Sequence, residues 1–174
     1  PAVLAWEQAL WLDPFHAPAR NNLAFARKAA QVESPSLAWY EAVSSWLPPG
    51  WWAWIAGLSL WSAVGLGIMP GILRQPRKSW HQALAAVCMA IFLLSLPAHA
   101  GVTTRSSLGY LLPKSTPLRL TPTAEAESIT QLAGGEPARI VRRHGTYLLI
   151  RTPRAQGWVA ASEFGKIAQE RPSR

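Results

Sequence analysis

The chain has 174 residues, 49% of them hydrophobic and only 15% charged, against roughly 25% in an average soluble domain. Its net charge is +8, and residues 99–174 hold most of the excess, with eleven Lys or Arg against five Glu. That tail lacks the interleaved aromatic and basic pattern of a single-strand binder, so nucleic acid is not expected as a partner. An anionic lipid or cell-wall polymer fits the charge better. Cys88 is the single cysteine, which excludes an intramolecular disulfide and a Cys-based metal site.

The chain begins at Pro1, without an initiator Met or a signal peptide, and is read as a piece of a longer protein. Residues 1–12 have the apolar pattern of an amphipathic helix (Val3, Leu4, Trp6, Ala9, Leu10), which Asp13-Pro14 ends. A second helix is predicted over about 17–32, with Leu23 and Ala24 among its apolar positions. Residues 33–45 form a polar linker that contains Trp39 and Tyr40, suited to a short helix along a membrane surface.

Between Glu41 and Arg74 lie 32 residues without a charge, and between Lys78 and Arg105 another 26. A bilayer core of about 30 Å needs about 20 helical residues, so both stretches are long enough to span. Spans are expected over 46–73 and 80–98. Trp46, Trp51, Trp52 and Trp54 cluster at the start of the first and Trp80 opens the second, as rings that favour the headgroup level do. Gly67 and Gly71 have a spacing that lets helices approach closely, and Pro70 between them should kink or end the helix. The connector, residues 74–79, carries Arg74, Arg77 and Lys78 and no acid. The positive-inside rule puts this loop in the cytoplasm and both termini outside it.

Ala98-His99-Ala100 has the small-x-small form of a signal-peptidase site. The alternative, that small residues simply end the span, is preferred, because the apolar run before it exceeds a signal h-region of about 7–15 residues. Residues 99–109 are read as a linker. From 110 to 167 short alternating runs are separated by turns: 118–120, 128–132, 137–143, 146–151 and 158–160, with Gly134-Gly135 and His144-Gly145 as turn signals. Five or six such strands imply a small barrel. Tyr147, Trp158 and Phe164 are its aromatics and Arg139, Arg142, Arg143 and Arg151 its cations. Trp158 and Phe164 as core residues, with the arginines as a solvated face, is the simpler reading. Tyr147, Trp158, Arg142 and Arg151 are the candidates for a ligand surface. Residues 168–174 are a tail.

Two resemblances follow from these residues. Trp6-Glu7-Gln8-Ala9-Leu10-Trp11-Leu12-Asp13-Pro14 resembles the end of a tetratricopeptide repeat, with Trp6, Ala9 and Pro14 in the motif spacing. Asn21-Asn22-Leu23-Ala24 is similar to the first helix of the next repeat, so residues 1–32 resemble a truncated repeat array that holds protein partners. The phrases Pro117–Pro122, Leu132–Glu136, Tyr147–Arg151 and Gly157-Trp158-Val159 resemble the bacterial SH3-like (SH3b) family. That resemblance implies a barrel that binds peptides or peptidoglycan.

The expected fold is therefore multi-part: an all-α tetratricopeptide-like fragment, a two-helix transmembrane hairpin and a small all-β SH3-like barrel. This order of parts resembles BatE-type aerotolerance proteins. The likeness implies a scaffold in the bacterial inner membrane, both termini periplasmic, working with von Willebrand factor A-type membrane proteins and a MoxR-type ATPase system. Membrane-anchored peptidoglycan binding is the alternative. Catalytic residues, metal ligands and cofactors are not expected. The four histidines fall in separate segments, and no phosphate loop, Gly-x-Ser-x-Gly or dinucleotide fingerprint occurs.

Overall fold

A computed structural model describes residues 2–30, 34–72 and 79–168. Five helices come first: α1 (Ala2–Leu12), α2 (Ala17–Ala30), α3 (Trp39–Ser44), α4 (Pro49–Ile72) and α5 (Ser79–Arg105). Seven strands follow: β1 (Leu108–Leu111), β2 (Ser115–Arg119), β3 (Ser128–Ala133), β4 (Pro137–His144), β5 (Tyr147–Arg151), β6 (Gln156–Ala160) and β7 (Phe164–Lys166). They form one sheet in the order β3-β2-β6-β5-β4-β1-β7, and each neighbouring pair is antiparallel. The fold thus combines helices, two of them long and apolar, with a seven-stranded antiparallel sheet.

Chain order and spatial grouping differ. The described parts of 1–36 and 104–174 form one compact unit, and those of 37–103 form another. The first unit is therefore split in sequence, with both apolar helices inserted into it.

In the split unit the sheet curls around its inner face. Leu111, Leu118, Leu132, Ala138, Leu148, Ile150, Val159 and Phe164 make one buried cluster there, drawing on every strand from one edge to the other. Alternation along β5 and β6 sends Leu148, Ile150 and Val159 inward and leaves Tyr147, Leu149, Arg151 and Trp158 outside. The β4–β5 turn needs Gly145, whose φ of 55° lies in the left-handed region that a side chain disfavours.

The α1–α2 hairpin closes part of the outer face. Asp13 starts the turn by accepting the Phe15 N–H (3.0 Å), and His16 Nδ1 accepts the Ala19 N–H (3.1 Å) at the start of α2. Leu23 is buried while Ala24 is exposed, and Trp6 and Ala9 are half-buried on α1. Val3, Leu4 and Trp11 of α1 pack on Leu108, Tyr110 and Ile167. Gly165 of β7 lets Leu4 lie against the backbone, because a β-carbon there would collide with it.

Two strands at this end fall outside the predicted runs. Residues 108–111 form β1, of which 108 and 109 fall in the expected linker and 110 and 111 in the barrel ahead of its first expected run, and β7 follows the run at 158–160. All four β1 residues are buried, so the strand has no apolar–polar alternation to betray it.

In the second unit, α4 and α5 supply apolar segments of 20 and 27 residues with mean hydropathies of 1.3 and 2.0. Only 17% and 11% of their apolar windows are buried, whereas the core helix of a soluble protein would be mostly covered. Trp51, Trp54, Leu58, Trp61 and Leu94 are all exposed. The α4 helix continues to Ile72, so of the two outcomes expected at Pro70 the helix does not end there, and α5 likewise runs through Pro97. The last turns of α5 lie against α3, with Ser95, Ala98 and Gly101 buried, and the Trp52 indole donates to the Ser44 carbonyl (3.2 Å). Residues 99–105, expected as linker, are therefore helical. Arg74, Arg77 and Lys78 lie outside the described residues.

Candidate functional site

The outer face of the sheet has two parts. Over β1 and β7 it is covered by α1; over β4, β5, β6 and β2 it is open. The covered part is tied by a polar network. Tyr110 Oη donates to Glu7 Oε1 (2.8 Å), Arg27 Nη2 donates to Tyr110 Oη (3.0 Å), and Arg27 also pairs with Glu7. Gln8 Nε2 donates to the Lys166 carbonyl (3.0 Å), and the Arg105 guanidinium stands 5.1 Å over the Trp11 ring. Burial, helped by the Glu7 carboxylate, pushes the Tyr110 phenol well above its ordinary pKa. It stays protonated and serves as a donor to Glu7. This network joins α1 and α2 to β1.

The open part carries the candidate ligand surface, and the register fixes its layout. Leu149 on β5 stands opposite Arg142 on β4 and Trp158 on β6, and Trp158 stands opposite Arg119 on β2. One row therefore reads Arg119, Trp158, Leu149, Arg142. The next row, about 7 Å along the strands, is His144, Tyr147 and Ala160; on the other side lie Arg139, Arg151 and Gln156. Tyr147, Trp158, Arg142 and Arg151 are thus all nearest neighbours of Leu149. The first two are half-buried and the two arginines exposed. Phe164 belongs to the inner core instead.

Arg142 reaches this face only through a β-bulge. Strict alternation from Arg139 would turn position 142 inward, but the register shifts between Ile140 and Arg142 and turns it out. The His144 ring meets the Trp158 ring edge-on at 6.2 Å and 75°. Arg119 and His144 are members of the face that sequence inspection did not name, and Arg139 is a cation that it named but left out of the ligand surface; a barrel-wide alternation count would have found Arg119.

No Asp or Glu occurs in β2, β4, β5 or β6, so the face is uniformly basic with an aromatic–aliphatic centre. Arg151 Nε donates to Gln156 Oε1 (3.0 Å), Arg119 Nη1 to the Ala124 carbonyl and Arg139 Nη2 to the Ser36 carbonyl (3.0 Å). Arg142 has no hydrogen-bond or ion-pair partner among the described residues. Such a surface can desolvate a flat or aliphatic group over Leu149 and Trp158 while arginines hold anionic groups around it. Among the described residues no cluster of His, Cys, Asp or Glu is placed to hold a metal ion.

The repeat-motif residues meet on the hairpin: Trp6 and Ala9 on α1, Pro14 in the turn, Leu23 and Ala24 on α2. Ala98 and Ala100 sit inside α5, and Ala98 is fully buried. No family model, curated protein or solved structure matches the chain.

Proposed function

We propose that this chain is a membrane-anchored, non-enzymatic adaptor in which two tetratricopeptide-like helices clamp a small SH3-like barrel and a two-helix hairpin holds both at the bacterial inner membrane. The observation that carries the reading is the split unit. Glu7 and Arg27 precede the apolar helices, Tyr110 follows them, and all three are bonded. Residues on either side of the hairpin must then share a compartment, so the number of crossings between them is even. That reasoning is independent of the charge of the connecting loop. The bare apolar flanks of α4 and α5 support lipid as their surroundings.

The positive-inside rule gives the side: loop in the cytoplasm, folded unit in the periplasm. In the scaffold reading, which follows the likeness to BatE-type proteins, the partners are von Willebrand factor A-type membrane proteins and a MoxR-type ATPase system. One face of α1 is already used by the chain's own sheet, so partners of the helices would meet the exposed Leu12, Phe15 and Phe25 instead. A second reading, peptidoglycan binding, is favoured by Trp158 and Tyr147 flanked by arginines, a surface suited to sugar rings and stem carboxylates.

Single-cysteine labelling tests the anchored arrangement. In a Cys88→Ser background, Asn22→Cys on α2 and Ser128→Cys on β3 are labelled in vesicles of known sidedness with an impermeant maleimide. Both should react from the periplasmic side only. Reaction from opposite sides, or the full chain staying soluble without detergent, would sink the reading.

A further inference from the structure

We infer that α4 docks on the α4 of a second copy of this chain, the two helices parallel, along a seam that one copy leaves uncovered. This rests on the membrane-anchored reading and adds to it a partner within the bilayer. Trp51, Trp54, Leu58, Trp61, Gly65 and Ile68 follow one another at alternating steps of three and four residues. That is the strict repeat of a helix–helix seam, narrower than the apolar stripe of a helix lying on a core. Trp51, Trp54, Leu58, Trp61 and Ile68 are all exposed. Trp52, Ser59 and Ala63 are buried, and at about 100° per residue they lie on roughly the opposite side of the helix. One face of α4 is thus already used inside the chain, and the seam is on the other.

Two further features say what covers the seam. Trp61 stands about 18 Å along α4 from Pro49 at about 1.5 Å per residue, near the middle of an apolar core of about 30 Å. Trp rings favour the headgroup level, and an indole N–H held in hydrocarbon needs an acceptor from protein. Neither the Trp61 indole nor the Ser62 hydroxyl has a hydrogen-bond partner among the described residues, whereas the Trp52 indole donates to the Ser44 carbonyl. A β-carbon added at Gly57 or Gly65 would meet open space, so packing inside the chain does not require glycine at either position. In a parallel pair of such seams each Trp61 enters a hole formed by Leu58, Trp61, Ser62 and Gly65 of the other copy. Gly65 makes room for the ring and the Ser62 hydroxyl accepts the indole N–H. Leu58 likewise enters a hole that contains Gly57. Two copies inserted the same way present α4 in parallel, so the contact is two-fold and each bond is made twice. An unrelated helix would need its own acceptor and gap at this depth, whereas a second copy carries both on the same seam.

The test uses the full chain in phosphatidylcholine vesicles at low protein density. In a Cys88→Ser background, single cysteines replace Leu58, Gly65, Ala56 and Ala63 in turn, and oxidation traps any pair. Leu58→Cys and Gly65→Cys should form a disulfide-linked dimer, and Ala56→Cys and Ala63→Cys should not. Energy transfer between donor- and acceptor-labelled Ser128→Cys chains then gives the dimer fraction as lipid is added. Trp61→Phe, which keeps a ring and loses the N–H, and Ser62→Ala should each weaken the dimer about threefold, and the double variant no more than either alone. Gly65→Leu, which fills the hole, should weaken it about tenfold or more. Circular dichroism of each variant checks that its helices are intact. A monomer at every lipid ratio, or equal trapping around the helix, puts lipid on the seam and overturns the inference. So does a dimer that Gly65→Leu leaves unchanged, or trapping of Leu58→Cys in native membranes on a different protein alone. None of these outcomes moves the sidedness of labelling at Asn22→Cys and Ser128→Cys, so failure of the pairing is distinguishable from failure of the anchored arrangement.

Discussion

The closed and open parts of the outer sheet face are built from neighbouring strands yet follow opposite rules. Over β1 and β7 the chain turns on itself: apolar side chains meet α1, and the Tyr110 phenol, Glu7 carboxylate and Arg27 Nη2 bond to one another, with Arg27 Nε buried and left over. Over β4, β5, β6 and β2 no strand carries an acid, and Leu149 and Trp158 are half-buried between arginines of the neighbouring strands. A surface that served only solubility would mix both signs of charge. The difference teaches that stability resides where the helices dock, and on the adaptor reading proposed above recognition falls where they do not. Substitutions should therefore divide along the same line.

The largest effect is expected from Tyr110→Ala. It removes a buried ring from the junction of helices and sheet, and should lower stability by about 3–5 kcal/mol. Thermal unfolding of the full chain in detergent, followed by circular dichroism, checks it. The signal of α1–α2 and that of the sheet should fall in one transition. Arg27→Ala comes next. It leaves the largely buried Glu7 carboxylate without its cation, for about 1–3 kcal/mol by denaturant titration.

Tyr110→Phe should cost about 1 kcal/mol at neutral pH, since it removes only the hydroxyl. It also carries a pH signature. The phenol is held above its ordinary value in the folded state, so the native state binds this proton more tightly than the unfolded chain does. The resulting stability is fully present below about pH 10 and is lost as pH rises further, toward the folded-state value. Unfolding midpoints measured between about pH 9 and pH 11 should fall more steeply for wild type than for Tyr110→Phe, with Tyr147→Phe as the surface control. The smallest effect belongs to the open part. Arg142→Ala should change stability by less than about 0.5 kcal/mol, because no partner among the described residues is lost.

Much of the architecture was legible because it is written locally. The uncharged runs announced α4 and α5, Asp13-Pro14 announced the turn between α1 and α2, and alternation announced β4, β5 and β6. Leu108–Leu111 escaped because all four of its residues are buried, which removes the period of two. The helical residues after Ala98 escaped because small and polar residues look like a span's end. Here Ala98 and Gly101 are buried against α3, and packing overrides that signal. The union of α1–α2 with the sheet had no local trace. Glu7 and Arg27 lie 103 and 83 positions from Tyr110, and nothing in either segment names the other.

The candidate face was half legible. Tyr147, Trp158 and Arg151 project outward by simple alternation. Arg142 joins them only because the bulge after Ile140 shifts the register, and a bulge is set by strand pairing that one strand's sequence does not reveal.

Native-state hydrogen exchange on the full chain in nanodiscs tests most directly whether the residues before and after the hairpin are one folded unit. Amides of α1, α2, β1 and β7 should open with the same free energy, and Tyr110→Ala should lower all of them by the same amount. If α1 and α2 exchange freely while β1 and β7 stay protected, the helices and the sheet are separate units and the shared-compartment argument fails.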